Sequence, residues 1–113
     1  MTHANPERQD LLTRRLGLVA GLSALNAQAL KLTQLLAGLD MEVLRLELAL
    51  KQTPADGELA RELQDELRTA HKSAEAEIER QSQCAERIET AEQEIEALDR
   101  LLQQAMEREG RTS

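Results

Sequence analysis

Leucine recurs at every seventh position through the first half of the chain. The six members of this series are Leu11, Leu18, Leu25, Leu32, Leu39 and Leu46. In an α-helix, an apolar residue repeated every seven positions forms a seam that is buried against another helix. The interleaved heptad positions agree, because all but Arg15 are apolar: Leu22, Ala29, Leu36, Val43 and Leu50. The pattern predicts a coiled-coil helix that works by contact with other helices.

The amino-acid composition favours an all-α fold. The 113 residues suffice for one domain. None of them is Phe, Tyr or Trp, the residues that supply much of the buried area in globular cores. Leu and Ala can fill the narrow seam between two helices, and Glu, Ala, Leu, Arg and Gln dominate as they do in coiled coils. No segment alternates with a period of two, so we predict no strand.

One strong break divides the chain, at the sequence Thr-Pro-Ala-Asp-Gly. Thr53 precedes Pro54 and is therefore disfavoured in the α conformation, which ends a helix there. A short turn makes the two helices antiparallel neighbours. We predict one antiparallel coiled-coil hairpin domain over 1–113, with helix one over about 6–52, the turn over about 53–57 and helix two over about 58–109.

The helix ends carry capping signals. Asn5 is suited as the N-cap of helix one, with Pro6 at the first helical position. Thr53 is suited as the N-cap of helix two, and Gly110 as its C-terminal stop. Because the heptad keeps its phase across Gly38, we expect helix one to be continuous there.

Helix two carries a matching apolar series, and folding about the turn pairs residues whose numbers sum to roughly 109. This pairing places Leu46 opposite Leu63, and Leu11 opposite Leu98. Arg15 and Gln81 interrupt the apolar seams, and polar residues at such positions often fix the register. Arg15 either pairs with the acidic residues near 94–96 or extends to water near the helix end. The predicted seam residues of helix two are Leu59, Leu63, Leu67, Ala70, Ala74, Ile78, Cys84, Ile88, Ala91, Ile95, Leu98, Leu102 and Ala105.

Helix one has more apolar surface than helix two can cover. A helix that is apolar almost all round is a buried helix, whereas helix two is a thin, alanine-rich and highly charged strip. We predict a protein interface, and we expect two hairpins to pair through it as a homodimer in an antiparallel four-helix bundle. A different protein could instead supply the missing helices, or long Arg and Gln side chains could cover the surface. The predicted interface residues are Leu30, Leu35, Met41, Leu44 and Leu48.

Charge and chemistry point away from catalysis and nucleic acids. The net charge of −7 divides into +1 over residues 1–52 and −8 over 53–113, which disfavours direct contact with a nucleic-acid backbone. Cys84 falls in the seam as a small apolar residue, and His71 with Glu75 supplies too few ligands for a metal. A two-helix hairpin offers the acidic side chains no concave pocket. We therefore expect a non-enzyme without metal or cofactor.

The cellular location has two interpretations. No apolar run reaches the roughly 18–20 residues of a membrane span. Residues 13–18 resemble a twin-arginine signal, and 27–29 have the small-x-small form of a cleavage site, so export with cleavage near Ala29 is one alternative. The leucine heptad runs in phase across that point, which favours an uncleaved cytoplasmic protein.

In architecture the chain resembles small coiled-coil proteins. Examples are the stalk proteins and export chaperones of bacterial flagellar and type III secretion systems, and small adaptor subunits of eukaryotic coiled-coil complexes. The resemblance rests on leucine periodicity and acidity, and it implies no role for any single residue. The expected function is that of a coiled-coil adaptor or assembly subunit. The alternative is a small chaperone or anti-activator that masks an amphipathic helix of a secretion or regulatory client.

Overall fold

The computed structural model describes residues 6–112 as two long helices joined by a turn. Helix α1 spans Pro6–Lys51 and helix α2 spans Glu58–Thr112. Contacts between the helices run antiparallel, so the predicted all-α helical hairpin is confirmed, and residues 6–112 contain no strand. The predicted cap Asn5 lies outside the described residues.

The turn between the helices is built differently from the prediction. The Thr53 hydroxyl donates to the carbonyl of Ala49 at 2.7 Å, so Thr53 closes the end of α1 and the prediction that it caps α2 is wrong. The amide of Gly57 donates to the carbonyl of Pro54 at 3.3 Å, and the Gly57 carbonyl accepts from the amide of Arg61 at 3.4 Å. Gly57 therefore stands at the N-cap of α2, and the first backbone amides of α2, which have no acceptor within the helix, follow it.

Glycine does not interrupt either helix. Helix α1 continues through Gly38, as the unbroken heptad predicts. Helix α2 continues through Gly110 to Thr112, so the prediction that Gly110 ends the helix is wrong. A glycine stop requires a left-handed residue after the helix, and no described glycine has a positive φ.

The chain divides into two compact units. The turn unit comprises residues 28–84, and its seam packs leucines of α1 against small residues of α2. Leu46 is the largest fully buried side chain, and Leu32 is also buried. Small side chains on α2 let the two backbones approach closely, which replaces the area that aromatic residues would supply. The buried residues that α2 contributes are Ala60, Ala70, Ala74 and Cys84.

The terminal unit comprises residues 6–27 and 85–112 and has its own core. Leu11 forms a buried cluster with Leu98, Leu102 and Ala105, and Leu18 packs against it. Leu11 and Leu98 thus share one cluster, as the sequence predicts. Exposed ion pairs flank this core on either side and tie the same two helical segments together.

The seam of α2 keeps one heptad phase from end to end. Its buried and half-buried positions include Glu77 and Gln81, whereas the predicted seam residues Leu59 and Ile78 are 57% and 53% exposed. The prediction was wrong at Leu59 and Ile78 because it assigned these positions to the seam on the ground that they are apolar. The buried seam instead keeps a constant heptad spacing, which places Ala60 and Glu77 there. The observed seam positions are Ala60, Leu63, Leu67, Ala70, Ala74, Glu77, Gln81, Cys84, Ile88, Ala91, Ile95, Leu98, Leu102, Ala105 and Glu109.

The register of the hairpin also differs from the prediction. Polar contacts across the helices join residues whose numbers sum to 114–117, against the predicted 109. A given residue of α1 therefore lies beside a residue of α2 that is five to eight positions later in the sequence than predicted. These contacts are Arg15 to Asp99, Arg8 to Glu109 and Arg108 to Glu7 in the terminal unit, and Gln81 to Thr33 in the turn unit.

The sequence allows two arrangements of Arg15, an ion pair or extension into water. The structure has the ion pair, but with a different acidic partner. Its Nε donates to Asp99 Oδ1 at 2.6 Å instead of reaching the residues near 94–96. This hydrogen bond, together with the negative charge of Asp99, raises the pKa of Arg15 above its ordinary value. The arginine therefore occupies a seam position while its charged group lies at the edge of the seam.

Glu77 is a polar seam position with one unpaired oxygen, and its replacement should stabilise the protein. Its side chain is 12% exposed, Oε1 accepts from the exposed Arg80, and Oε2 is buried with no hydrogen-bond partner in the described structure. Glu77→Leu should raise the free energy of unfolding by about 1–2 kcal/mol, because an apolar side chain loses no hydrogen bonds on burial. Urea unfolding followed by circular dichroism measures this. Glu75→Leu, on the exposed surface of α2, is the matched control, and a less stable Glu77→Leu variant would contradict the assigned seam.

Cross-linking tests the register. In a Cys84→Ala background, cysteines replacing Thr33 and Gln81 should be joined within one chain by a short bismaleimide, because these side chains meet at 3.2 Å. Cysteines replacing Thr33 and Lys72 form the control, since nine residues of helix separate position 72 from 81 by about 13 Å. Links that form only between chains would show that the helices do not fold back on each other.

Candidate interaction surface on helix one

The candidate site is an apolar surface that α1 keeps in contact with water. The predicted interface residues Leu30, Leu35, Met41, Leu44 and Leu48 have exposed fractions between 48% and 73%. Single exposed leucines are ordinary in proteins. A regular series of them along one helix is a contiguous apolar patch, and such a patch usually marks a site of contact with another molecule.

Heptad spacing arranges most of these residues as a second seam. Starting from Leu30, an uninterrupted series of steps of four and three residues runs to Leu48, and every member of it is exposed. We call this series the outer stripe. With 3.6 residues per turn, its centre lies about 150° around α1 from the seam that faces α2. Its members are Leu30, Gln34, Ala37, Met41, Leu44 and Leu48.

Leu35 does not belong with the other predicted interface residues. It lies next to the seam on the side of α1 away from the outer stripe, as its heptad position shows. Its exposed fraction is the lowest of the five, at 48%. The helix therefore brings four of the predicted interface residues onto one face and leaves Leu35 on another.

In the terminal unit, α1 carries the same exposed positions with smaller side chains. Leu16 is 70% exposed, and Ala20, Ser23 and Ala27 follow it at the same heptad positions, all exposed. Leu16 is not among the predicted interface residues, although spacings of seven and fourteen residues relate it to Ser23 and Leu30.

Charged side chains flank the outer stripe on both sides, and each side carries one sign. Lys31 and Arg45 follow Leu30 and Leu44, while Asp40 and Glu47 precede Met41 and Leu48. No member of the outer stripe is itself ionisable. An apolar centre with a charged rim is the common anatomy of a protein–protein interface.

Arg45 is held in place by a neighbour on its own helix. Its Nε and Nη2 donate to the two carboxylate oxygens of Glu42 at 3.0 and 2.5 Å. These hydrogen bonds raise the pKa of Arg45 and lower the pKa of Glu42. Both groups are therefore charged at neutral pH, and the guanidinium keeps N–H groups free of Glu42 for another acceptor.

Helix α2 carries no comparable surface over its described length. Its large exposed apolar residues do not follow steps of three and four, and acidic side chains surround them. They are Leu59, Ile78, Leu101 and Met106. We read them as scattered surface residues of the ordinary kind.

The other groups that the sequence analysis considers lie on α2. Cys84 is buried in the α2 seam, and His71 and Glu75 are exposed. Within residues 6–112, no three side chains of the kinds that bind metals come together as a site. Across the same residues, neither helix combines the length and apolarity that crossing a bilayer requires.

Comparison with known proteins adds no family to this description. No protein family, no curated protein and no solved structure matches the chain at a significant level.

Proposed function

We propose that the protein is a non-enzymatic coiled-coil interaction module, an adaptor or assembly subunit, that binds a partner helix along the outer stripe. The observation that carries the proposal is the exposure of Leu30, Met41, Leu44 and Leu48, each more than half exposed, in one heptad register. Side chains spaced by three and four residues interlock with those of another helix. The partner is therefore a helix of a protein, and the spacing suits neither a strand nor a small molecule.

The energy available at this surface supports a bound partner. Fully burying one leucine or methionine contributes about 1.5–3 kcal/mol. Four such side chains, each about half exposed, leave several kcal/mol unused, against a typical total stability of about 5–15 kcal/mol. Ala37 and Gly38 lie between the large side chains, and an added Cβ on Gly38 would meet nothing within 4 Å. The free space beside Gly38 lets a partner helix come close.

A chaperone or anti-activator that masks a client's amphipathic helix is the second candidate. It would use the same outer stripe, which is already exposed in the single chain and needs no rearrangement to receive a client. The two candidates differ in lifetime: an assembly subunit keeps its partner, whereas a chaperone releases it. A stable complex supports the first candidate, and exchange of partner supports the second.

The proposal takes the chain as uncleaved and cytoplasmic. Cleavage near Ala29 would remove Leu11, which packs in the cluster with Leu98, and Arg15, which binds Asp99. The remaining segment of α2 would lose its packing partner. An intact mass from the native host, with residues 1–29 retained, tests this part, and a mass that lacks them would contradict it.

Charge placed on the outer stripe should abolish binding and leave the hairpin folded. The triple variant Leu30→Glu, Leu44→Glu, Leu48→Glu disrupts a face that α2 does not cover, so its helical circular dichroism should match that of the wild type. In complexes purified from the native host, the wild type should sediment as a larger species and the triple variant as a lone hairpin.

A matched control separates this effect from added charge alone. The variant Leu59→Glu, Ile78→Glu, Met106→Glu places three acids at equally exposed apolar positions on α2 and should retain the larger species. If the outer-stripe variant keeps the larger species as well, the stripe is not the interface. If it loses its helicity, the stripe belongs to the core of the hairpin, and the proposal fails.

A further inference from the structure

We infer that a second copy of this chain occupies the outer stripe, with its α1 helix parallel and in register. The inference rests on the proposed function, which makes the outer stripe a helix-binding surface, and it names the helix that binds there. Three observations carry it: the single polar residue in the stripe, the signs of the flanking charges, and the separation of the stripe from α2.

The polar residue is Gln34, which lies among apolar members of the outer stripe. A parallel, in-register pair places every stripe residue opposite its own copy. Leu30, Ala37, Met41, Leu44 and Leu48 then form apolar layers. Gln34 faces the partner's Gln34, and because an amide both donates and accepts, the two side chains can hydrogen-bond to each other. One polar residue at a core position specifies register and orientation in this way.

The flanking charges match across a parallel pair. In a parallel coiled coil, a residue on one side of the core faces the residue five positions later on the other helix. Asp40 and Arg45 have this separation and lie on opposite sides of the outer stripe, so Asp40 faces the partner's Arg45, and twofold symmetry repeats the contact. Asp40 makes no ion pair within residues 6–112, and Arg45 retains donors beyond those that bind Glu42.

An antiparallel pair brings like charges together. In that arrangement each side of the core faces the same side of the partner helix. The basic side, with Lys31 and Arg45, would face itself, and the acidic side, with Asp40 and Glu47, would face itself. Repulsion of this kind selects against an arrangement. The charge pattern therefore favours parallel α1 helices over the antiparallel packing that the sequence analysis predicts.

The hairpin leaves room for this arrangement. The outer stripe lies about 150° around α1 from the seam, so within the turn unit α2 packs on the far side of α1. The pair consequently has the two α1 helices at its centre, and each α2 packs on the outside of its own α1.

Single cysteines decide the orientation. In a Cys84→Ala background that keeps Gln34, we would prepare Leu30→Cys and Leu48→Cys separately and oxidise each mildly. A parallel, in-register pair brings both positions opposite their own copies, so both variants should form disulfide-linked dimers. An antiparallel pair can place only one position of a helix opposite itself. Glu75→Cys, on the exposed surface of α2, is the control and should stay unlinked.

The alternative outcomes are distinguishable. If chains link only when the Leu30→Cys and Leu48→Cys variants are mixed, or if only one variant links, the copies are antiparallel and the inference fails while the outer stripe remains an interface. If nothing links and the wild type sediments as a single chain at micromolar concentration, a second copy is not the occupant. The complexes from the native host then show separately whether the stripe binds another protein.

Neutralising one acid on the flank tests the charge match. Asp40→Asn should weaken the dimer about two- to tenfold in sedimentation equilibrium at low salt, and the difference should shrink at high salt. Glu47→Gln is the matched control, because the residue five positions later is the uncharged Gln52, and its dissociation constant should stay unchanged. Equal weakening by both substitutions, or tighter association of Asp40→Asn, would overturn the assigned contact.

Discussion

The hairpin depends on leucines of α1 packing against small residues of α2. With no aromatic side chain in the sequence, buried area has to come from backbones that approach closely. Leu46 in the turn unit is almost fully buried, the cluster around Leu11 in the terminal unit combines Ala105 with Leu98 and Leu102, and in both units alanines of α2 are among the most buried residues. A partner helix made of small residues is narrow and covers one face of α1. The exposed second face of α1 follows from this choice of side chains.

Polar contacts at the edges of the seam favour the observed register of the two helices, although each contributes little to the free energy of folding. Arg15 with Asp99, and Gln81 with Thr33, join exposed or half-buried groups, and such pairs typically contribute less than about 1 kcal/mol. Their effect lies in selection among alignments, because a seam of leucines and alanines fits several. A shift by one heptad would keep most apolar layers and would separate these charged and polar partners.

The two helices differ in charge and in the number of apolar faces they carry. Helix α2 carries most of the negative charge, and its seam mixes small residues with leucine and isoleucine, with Glu77, Gln81 and Glu109 as polar exceptions. Helix α1 carries two heptad series on nearly opposite faces, one that meets α2 and one that meets water. A helix with two such series can join a hairpin to a further helix without a change in its own fold. The uncharged outer stripe and its single-signed flanks are the properties on which the proposed choice of partner depends.

The sequence by itself determined the all-α hairpin, the two helical segments and the α1 seam, because heptad spacing, proline and turn residues act through neighbours along the chain. It also showed that α1 has more apolar residues than one face can hold, because the helical repeat assigns each residue to a face. Only the tertiary structure decided the phase of the α2 seam, where Ala60 and Glu77 replace Leu59 and Ile78. It likewise decided the capping role of Thr53 and the pairing of Arg15 with Asp99. These features depend on how one helix is aligned against the other, and several alignments satisfy the same local preferences.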